Sequence, residues 1–312
     1  MTSDLTSLAG ALLLVLIGLT LLSEFCMHWL GETESGRMFQ NVNNRIKAWW
    51  VMAVLLLLAI LLGSWGILLI FLFASFASLR EFLTLTNTRV ADTWALTAAF
   101  FFVLPLQYIS VGLDWYGFYT VFIPVYAFLA MPILSALRGE PRRFLIRVAE
   151  TQWSLMVCVF CISHVPALMN LNIEGYEGRN VFLIVFLVVV VQSTDTLQYV
   201  WGHFFGKHQI APALSPSKTW EGLIIAVISA SLIGAALFWI TPFAFWQAAI
   251  MAGIVSMTGF FGGLVMSAIK RDRGIRDYGP MMMAQGGFSD RLDTVIFSAP
   301  IFFHLTRYFW GG

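Results

Sequence analysis

The sequence predicts an all-α, polytopic integral membrane protein with about ten transmembrane helices, some of them short. Three observations carry that prediction. Of the 312 residues, 59% are hydrophobic and 11% charged, with a mean hydropathy of +0.81. Soluble domains carry about 25% charged residues, and a soluble fold of this length has more surface to cover with polar groups than this chain supplies. Apolar runs of roughly 20 residues, enough to cross a hydrocarbon core, recur along the chain. Finally, all but two of the bases fall in alternate connections between those runs. Together these exclude a soluble globular enzyme, a secreted disulfide scaffold and a disordered regulator. The net charge of +1 excludes wholesale nucleic-acid binding, which needs a strongly basic face.

The first run lies near 7–26. No basic stretch precedes it and no small-residue cleavage site follows, so it reads as a retained span rather than a signal peptide. The next apolar stretch, Ala48 to Leu79, is too long for one ordinary span and carries Gly63-Ser64-Trp65-Gly66 near its middle. It is read as two short spans joined by a tight turn there. Further spans fall near 94–113, 116–137, 148–168, 181–201, 222–242, 244–269 and 292–310. Cys158 and Cys161 form a C-x-x-C pair, but Val157, Val159 and Phe160 surround it and no second ligand pair is near, so both read as apolar filler.

With ten spans, connections 27–47, 80–93, 138–147, 202–221 and 270–291 face one side and hold 16 of the 18 Lys and Arg. Only Arg179 and Arg307 fall opposite, with Asp114, Glu174 and Glu177. The positive-inside rule places the basic connections in the cytosol and both termini outside. A single span over 48–79 would spoil the pattern by putting 27–47 opposite the later basic loops. No internal repeat supports an inverted-repeat transporter.

Polar residues up to about 180 lie mostly in connections and read as topology signals. Residues 1–180 are therefore taken as N-terminal transmembrane helices, and 181–312 as the part carrying the chemistry. Asp195 ends an apolar run near the cytosolic end of its helix, where an ionisable group is costly and its stem too short to snorkel far. In the segment 213–222, Ser215 is suited to cap a helix and Pro216 to open it. Lys218 and Thr219 would then lie in a first turn suited to phosphate. Glu221 could hold a metal or orient Lys218. In 267–293, Lys270, Arg271, Arg273, Arg276 and Arg291 alternate with Asp272, Asp277, Asp290 and Asp293. Asp290 and Asp293, three apart at a helix start, share one face. Paired oxygen ligands beside Arg and Lys suit a magnesium–triphosphate complex. Gly286 and Gly287 let backbone approach a substrate.

These residues resemble the phosphatidate cytidylyltransferases, or CDP-diacylglycerol synthases. Ser267, Lys270, Arg271, Asp277, Gly286, Gly287, Asp290, Arg291 and Asp293 match that family's signature with its spacing. Asp195, Tyr199, Gly202, Gly206-Lys207, Ser215-Pro216, Lys218-Thr219 and Glu221-Gly222 resemble its second region. The likeness covers roughly 190–310. The chain departs from the pattern at Gly263, where the family usually has an aspartate resembling part of its metal site. Gln285 stands in place of a histidine, and Arg276 in place of a lysine.

The resemblance implies cytidylyl transfer from CTP to phosphatidate, giving CDP-diacylglycerol and pyrophosphate, at a cytosol-facing site in a bacterial inner membrane. It implies metal ligation by Asp290 and Asp293, with Mg2+ as cofactor and a second cation left open. Lys270, Arg271, Asp277 and Arg291 would be catalytic. Asp195, Ser215, Lys218, Thr219, Glu221, Ser267, Gly286 and Gly287 would bind substrate. A homodimer is expected from the resemblance alone. Two alternatives stand beside this reading: a divergent member using another lipid phosphate or nucleotide, and a catalytically silent membrane protein that binds lipid or nucleotide.

Overall fold

The computed structural model describes residues 2–30, 33–86, 89–275, 287 and 289–311. It is an assembly of helical segments: α1 Thr2–Leu30, α2 Glu34–Leu61, α3 Gly63–Thr84, α4 Val90–Gly112, α5 Tyr116–Ala136, α6 Phe144–Asn170, α7 Val181–Phe205, α8 Trp220–Ala236, α9 Phe245–Asp272 and α10 Ser289–Trp310. Strands β1 Gln209–Ala211 and β2 Ser215–Thr219 form an antiparallel hairpin between α7 and α8. Among the described residues, seven helices are long and apolar enough to cross a membrane. Two shorter apolar stretches, Leu13–Trp29 and Trp220–Ala236, accompany them. The chain is an integral membrane protein built almost wholly from helices.

The long stretch around Gly63 divides as its glycine suggests: Gly63 takes φ +73° between α2 and α3, a backbone region glycine enters without steric cost. The two spans it joins are not short, however. Met38–Leu61 and Gly63–Thr84 have 24 and 22 residues, because the polar segment before Ala48 continues the helix rather than forming a loop. Inside α4, α5 and α6 the helix widens into π turns at Ala99–Val103, Phe122–Ala127 and Met156–Cys161. Each lies at, or about one turn before, a proline (Pro105, Pro124, Pro166). A proline frees the carbonyl four residues back, and nearby helical adjustment re-satisfies it.

α7 is the central element. Its run 181–187, with Val190 and Val191, is buried among α8, α9 and α10, so it is apolar on every side rather than on one stripe. Phe186 stacks on Phe302 of α10 at 5.7 Å. α1 lies outermost: Leu13, Leu14, Ile17, Leu21, Leu22 and Phe25 are exposed apolar side chains, as lipid-facing positions require. Cys158 is buried and all three cysteines are free.

One expectation is corrected here. Ser215 and Pro216 do not open a helix; they begin β2, which pairs Ala211 with Ser215 and Gln209 with Thr219. Helix α8 starts at Trp220, and Thr219 is its cap: extended at φ −122°, it accepts the Gly222 N–H on its hydroxyl at 3.2 Å. Pairing with β1 gives Ser215–Thr219 a backbone partner that an N-terminal helical turn would forgo.

Candidate active site

The site is built on the contact between α9 and α10. A Cβ on Gly262 would stand 2.7 Å from Phe297 Cβ, so only glycine lets the two backbones approach this closely, as small residues do between membrane helices. The approach aligns the C-terminal end of α9 with the N-terminal end of α10. Lys270 Nζ bonds Asp290 Oδ1 at 2.6 Å, with both side chains nearly buried. Asp290 Oδ2 also accepts the Gly287 N–H at 2.9 Å, which satisfies a donor at the helix start and places a carboxylate at its positive end. Asp293, one turn on, accepts the Thr294 N–H at 2.7 Å. Ser267 turns its hydroxyl back onto the Gly263 carbonyl at 2.7 Å and contributes local helix geometry.

β2 delivers Lys218 to the same place. Its side chain is buried, with Nζ 3.4 Å from the Phe260 carbonyl and 4.7 Å from the Phe260 ring centroid. A Cβ on Gly263 would lie 3.0 Å from that Nζ and 3.8 Å from Asp293 Oδ2. The bare backbone at 263 is therefore the floor between the ammonium and the carboxylate. Burial lowers the Lys218 pKa from the ordinary lysine value; the negative charges of Asp195 and Asp293 oppose the shift, and Lys270 and Arg45 add to it. A small cavity beside it is lined by Thr194, Asp195, Ser256, Gly259 and Phe260.

α2 supplies a member that sequence reasoning took for a topology signal. Arg45 Nη1 is ion-paired with Asp195 Oδ2. Its guanidinium lies 5.3 Å from the Tyr199 ring centroid, and Asn41, one turn earlier, donates to the Tyr199 hydroxyl at 2.9 Å. The signal was present in the sequence, since Asn41 and Arg45 are four apart at the polar head of an apolar helix and share a face. A second missed residue is Glu81 of α3, which accepts the Ser289 N–H at 2.8 Å and so caps α10. Arg291 lies within electrostatic reach of Asp290, Asp195, Asp293 and Arg45, and Gln192 Nε2 meets its carbonyl at 3.5 Å.

Other expected residues sit apart. Glu221 does not orient Lys218: it accepts His208 Nδ1 at 2.5 Å and the Lys207 and His208 N–H groups at 3.1 Å, bracing the turn before β1. Arg271 is exposed and donates to the Leu214 and Ile275 carbonyls at 3.2 and 3.1 Å, tying α9 to the hairpin. Ser215 is half-buried at the start of β2. Asp277, Gly286, Arg276 and Gln285 lie outside the described residues. Among the described residues no three or more His, Cys, Asp or Glu side chains form a cluster that could hold a metal by themselves. The arrangement offers ammonium and guanidinium groups interleaved with Asp195, Asp290 and Asp293, a pattern that can hold a polyanion and share a hard cation with it.

Comparison with known proteins gives the same direction. Residues 43–309 match the cytidylyltransferase family. An uncharacterized protein, YnbB, of Escherichia coli K12 is 34% identical over 302 residues, covering 96% of this chain and 97% of its own length. A phosphatidate cytidylyltransferase of Staphylococcus haemolyticus is 27% identical over 258 residues, 80% of this chain and 94% of its own. One from Staphylococcus saprophyticus is 33% identical over 160 residues, 49% of this chain and 61% of its own. With a match spanning all but the first 42 and last three residues, the chain belongs to the cytidylyltransferase family.

Proposed function

We propose that the protein transfers a cytidylyl group from CTP to phosphatidate, giving CDP-diacylglycerol and pyrophosphate. The observation that carries the reading is Lys218: a buried ammonium with a carbonyl and an aromatic ring as its nearest partners, beside the open backbone of Gly263 and the carboxylate of Asp293. Asp195 and Asp293 offset part of the cost of burying that charge, and a phosphate, the anion a cytidylyltransferase substrate carries, would offset more of it.

In the reaction a phosphatidate oxygen forms a bond to the α-phosphorus of CTP. The bond from that phosphorus to the oxygen bridging the β-phosphate breaks, and pyrophosphate departs with it. Positioning and charge neutralisation suffice, so no covalent nucleophile is needed. Lys218, Lys270 and Arg291 grip phosphate oxygens, and Asp195 completes the wall. Asp290 and Asp293 fit Mg2+, which asks for one or two carboxylates, with substrate phosphates and waters filling the remaining positions. When bound it would neutralise charge developing on the leaving pyrophosphate. The site faces the cytosol, where the basic connections lie.

The test is pyrophosphate release and lipid-linked CMP formation by the purified full chain with CTP, Mg2+ and phosphatidate. Turnover is expected, with Asp293→Ala reducing it by a factor of about 100 or more, the loss of one charge-stabilising group. Wild-type release equal to that of Asp293→Ala would sink the reading. A second reading is favoured by Gly263 itself: with no side chain there, the space beside Lys218 suits a different lipid phosphate or nucleotide. Turnover with another acceptor but not phosphatidate would establish it, and inertness with all of them would leave a binding protein.

A further inference from the structure

We propose that Arg45, on the second helix, is a nucleotide-phosphate clamp of this site, supplied from the N-terminal part of the chain. The inference rests on the cytidylyl-transfer reading and assigns a residue from outside the two motifs that suggested it. Arg45 stands 150 positions from its ion-pair partner Asp195, and α2 packs against α7 to bring them together.

The geometry is that of a held but unfinished guanidinium. One Nη1 bond goes to Asp195 Oδ2, and the ring of Tyr199 lies 5.3 Å from the guanidinium carbon. Tyr199 is itself anchored by Asn41 at 2.9 Å, so Asn41 and Arg45 grip one target from successive turns of one helix face. The remaining N–H groups of the guanidinium fork make no hydrogen bond to the described residues. Five donors fixed in a plane are suited to bidentate contact with phosphate oxygens. The side chain is 31% exposed, so it lies at the mouth of the cleft rather than in its floor. Its charge is felt by Lys218, Arg291 and Asp195, which places it in the same electrostatic pocket as the groups assigned to phosphate. A purely structural surface pair would need neither the aromatic platform nor a place among the bases and carboxylates of the site.

The experiment compares wild type, Arg45→Gln and Arg45→Lys as full-length protein in lipid nanodiscs. Two quantities are read: the affinity for the non-hydrolysable α,β-methylene analogue of CTP, and separate KM values for CTP and phosphatidate. Arg45→Gln is expected to weaken analogue binding and raise KM for CTP by about tenfold or more, the loss of a charge-assisted hydrogen bond. KM for phosphatidate should stay within about twofold, and Arg45→Lys should recover part of the loss by keeping the charge without the fork. Analogue affinity and KM for CTP unchanged in Arg45→Gln overturn the clamp, as does a rise confined to phosphatidate. A fall in thermal stability equal in both variants, with no difference between them in analogue affinity, also overturns it, since that is what a structural pair would give. Absence of CTP binding and turnover in the wild type would sink the reaction itself; a wild-type signal that Arg45→Gln preserves would sink only the clamp.

Discussion

Burial takes Lys218 out of water and lowers its pKa below the ordinary lysine value of 10.5, although Asp195 and Asp293 pull the other way. The sign of the consequence is definite. A lysine lowered in this way loses its proton earlier than a surface lysine as the pH rises. Phosphate binding that depends on this ammonium therefore weakens on the alkaline side before an ordinary lysine titrates. Lys218→Arg keeps a charge throughout, so its CTP affinity should be lower at neutral pH and nearly flat from about pH 7 to about pH 10. Binding titrations across that range check this, and an alkaline limb that persists in Lys218→Arg would assign the titration to another group. Lys218, Lys270, Asp290 and Asp293 are legible as candidate site residues because their chemistry is written in local spacing. Arg45 and Glu81 are not, because their partners lie 150 and 208 positions away, and only packing of helices brings such residues together.

At the level of elements, the site depends on how closely α9 approaches α10. Gly262 permits that approach, and a Cβ there would meet Phe297 at 2.7 Å. Gly262→Ala should therefore push the helices apart, cost about 1–3 kcal/mol as other overpacked substitutions do, and loosen the Lys270–Asp290 bond at the end of the same helix pair. Phe297→Ala empties the space the new methyl group needs, so the double variant should be less destabilised than the two single costs combined. Unfolding of the four proteins in mixed micelles measures this, and strictly additive costs would show that Gly262 and Phe297 do not press on one another. The hairpin makes the opposite point about legibility. Ser215-Pro216 carries a genuine helix-start signature, yet the backbone follows β1 instead. Local propensity is a weak prior that pairing overrides, and the cap passes to Thr219.

On the scale of the molecule, the helical spans are legible because the membrane imposes the length of each apolar run, and the positive-inside rule sets an expectation for the side on which the bases lie. The helix break with positive φ stands at Gly63, where a division of the stretch would keep the basic connections on one side. Two ion pairs near those connections belong to the same face. Arg147 meets Asp92 at 3.0 Å with both side chains nearly buried, linking the start of α4 to the start of α6. Arg273 meets Glu150 at 2.6 Å, linking the end of α9 to α6. Lys270, at the same end of α9, is a proposed phosphate-binding residue, so the sidedness of the basic connections and the sidedness of the site are one question. Single cysteines introduced into a cysteine-free chain at Arg142 and at Glu177 answer it. In intact cells an impermeant maleimide should label Glu177→Cys and spare Arg142→Cys, and permeabilisation should expose the latter. The reverse pattern would put Lys218 and Lys270 on the side away from CTP, and labelling of both in intact cells would remove the span arrangement between α5 and α7 on which the sidedness depends.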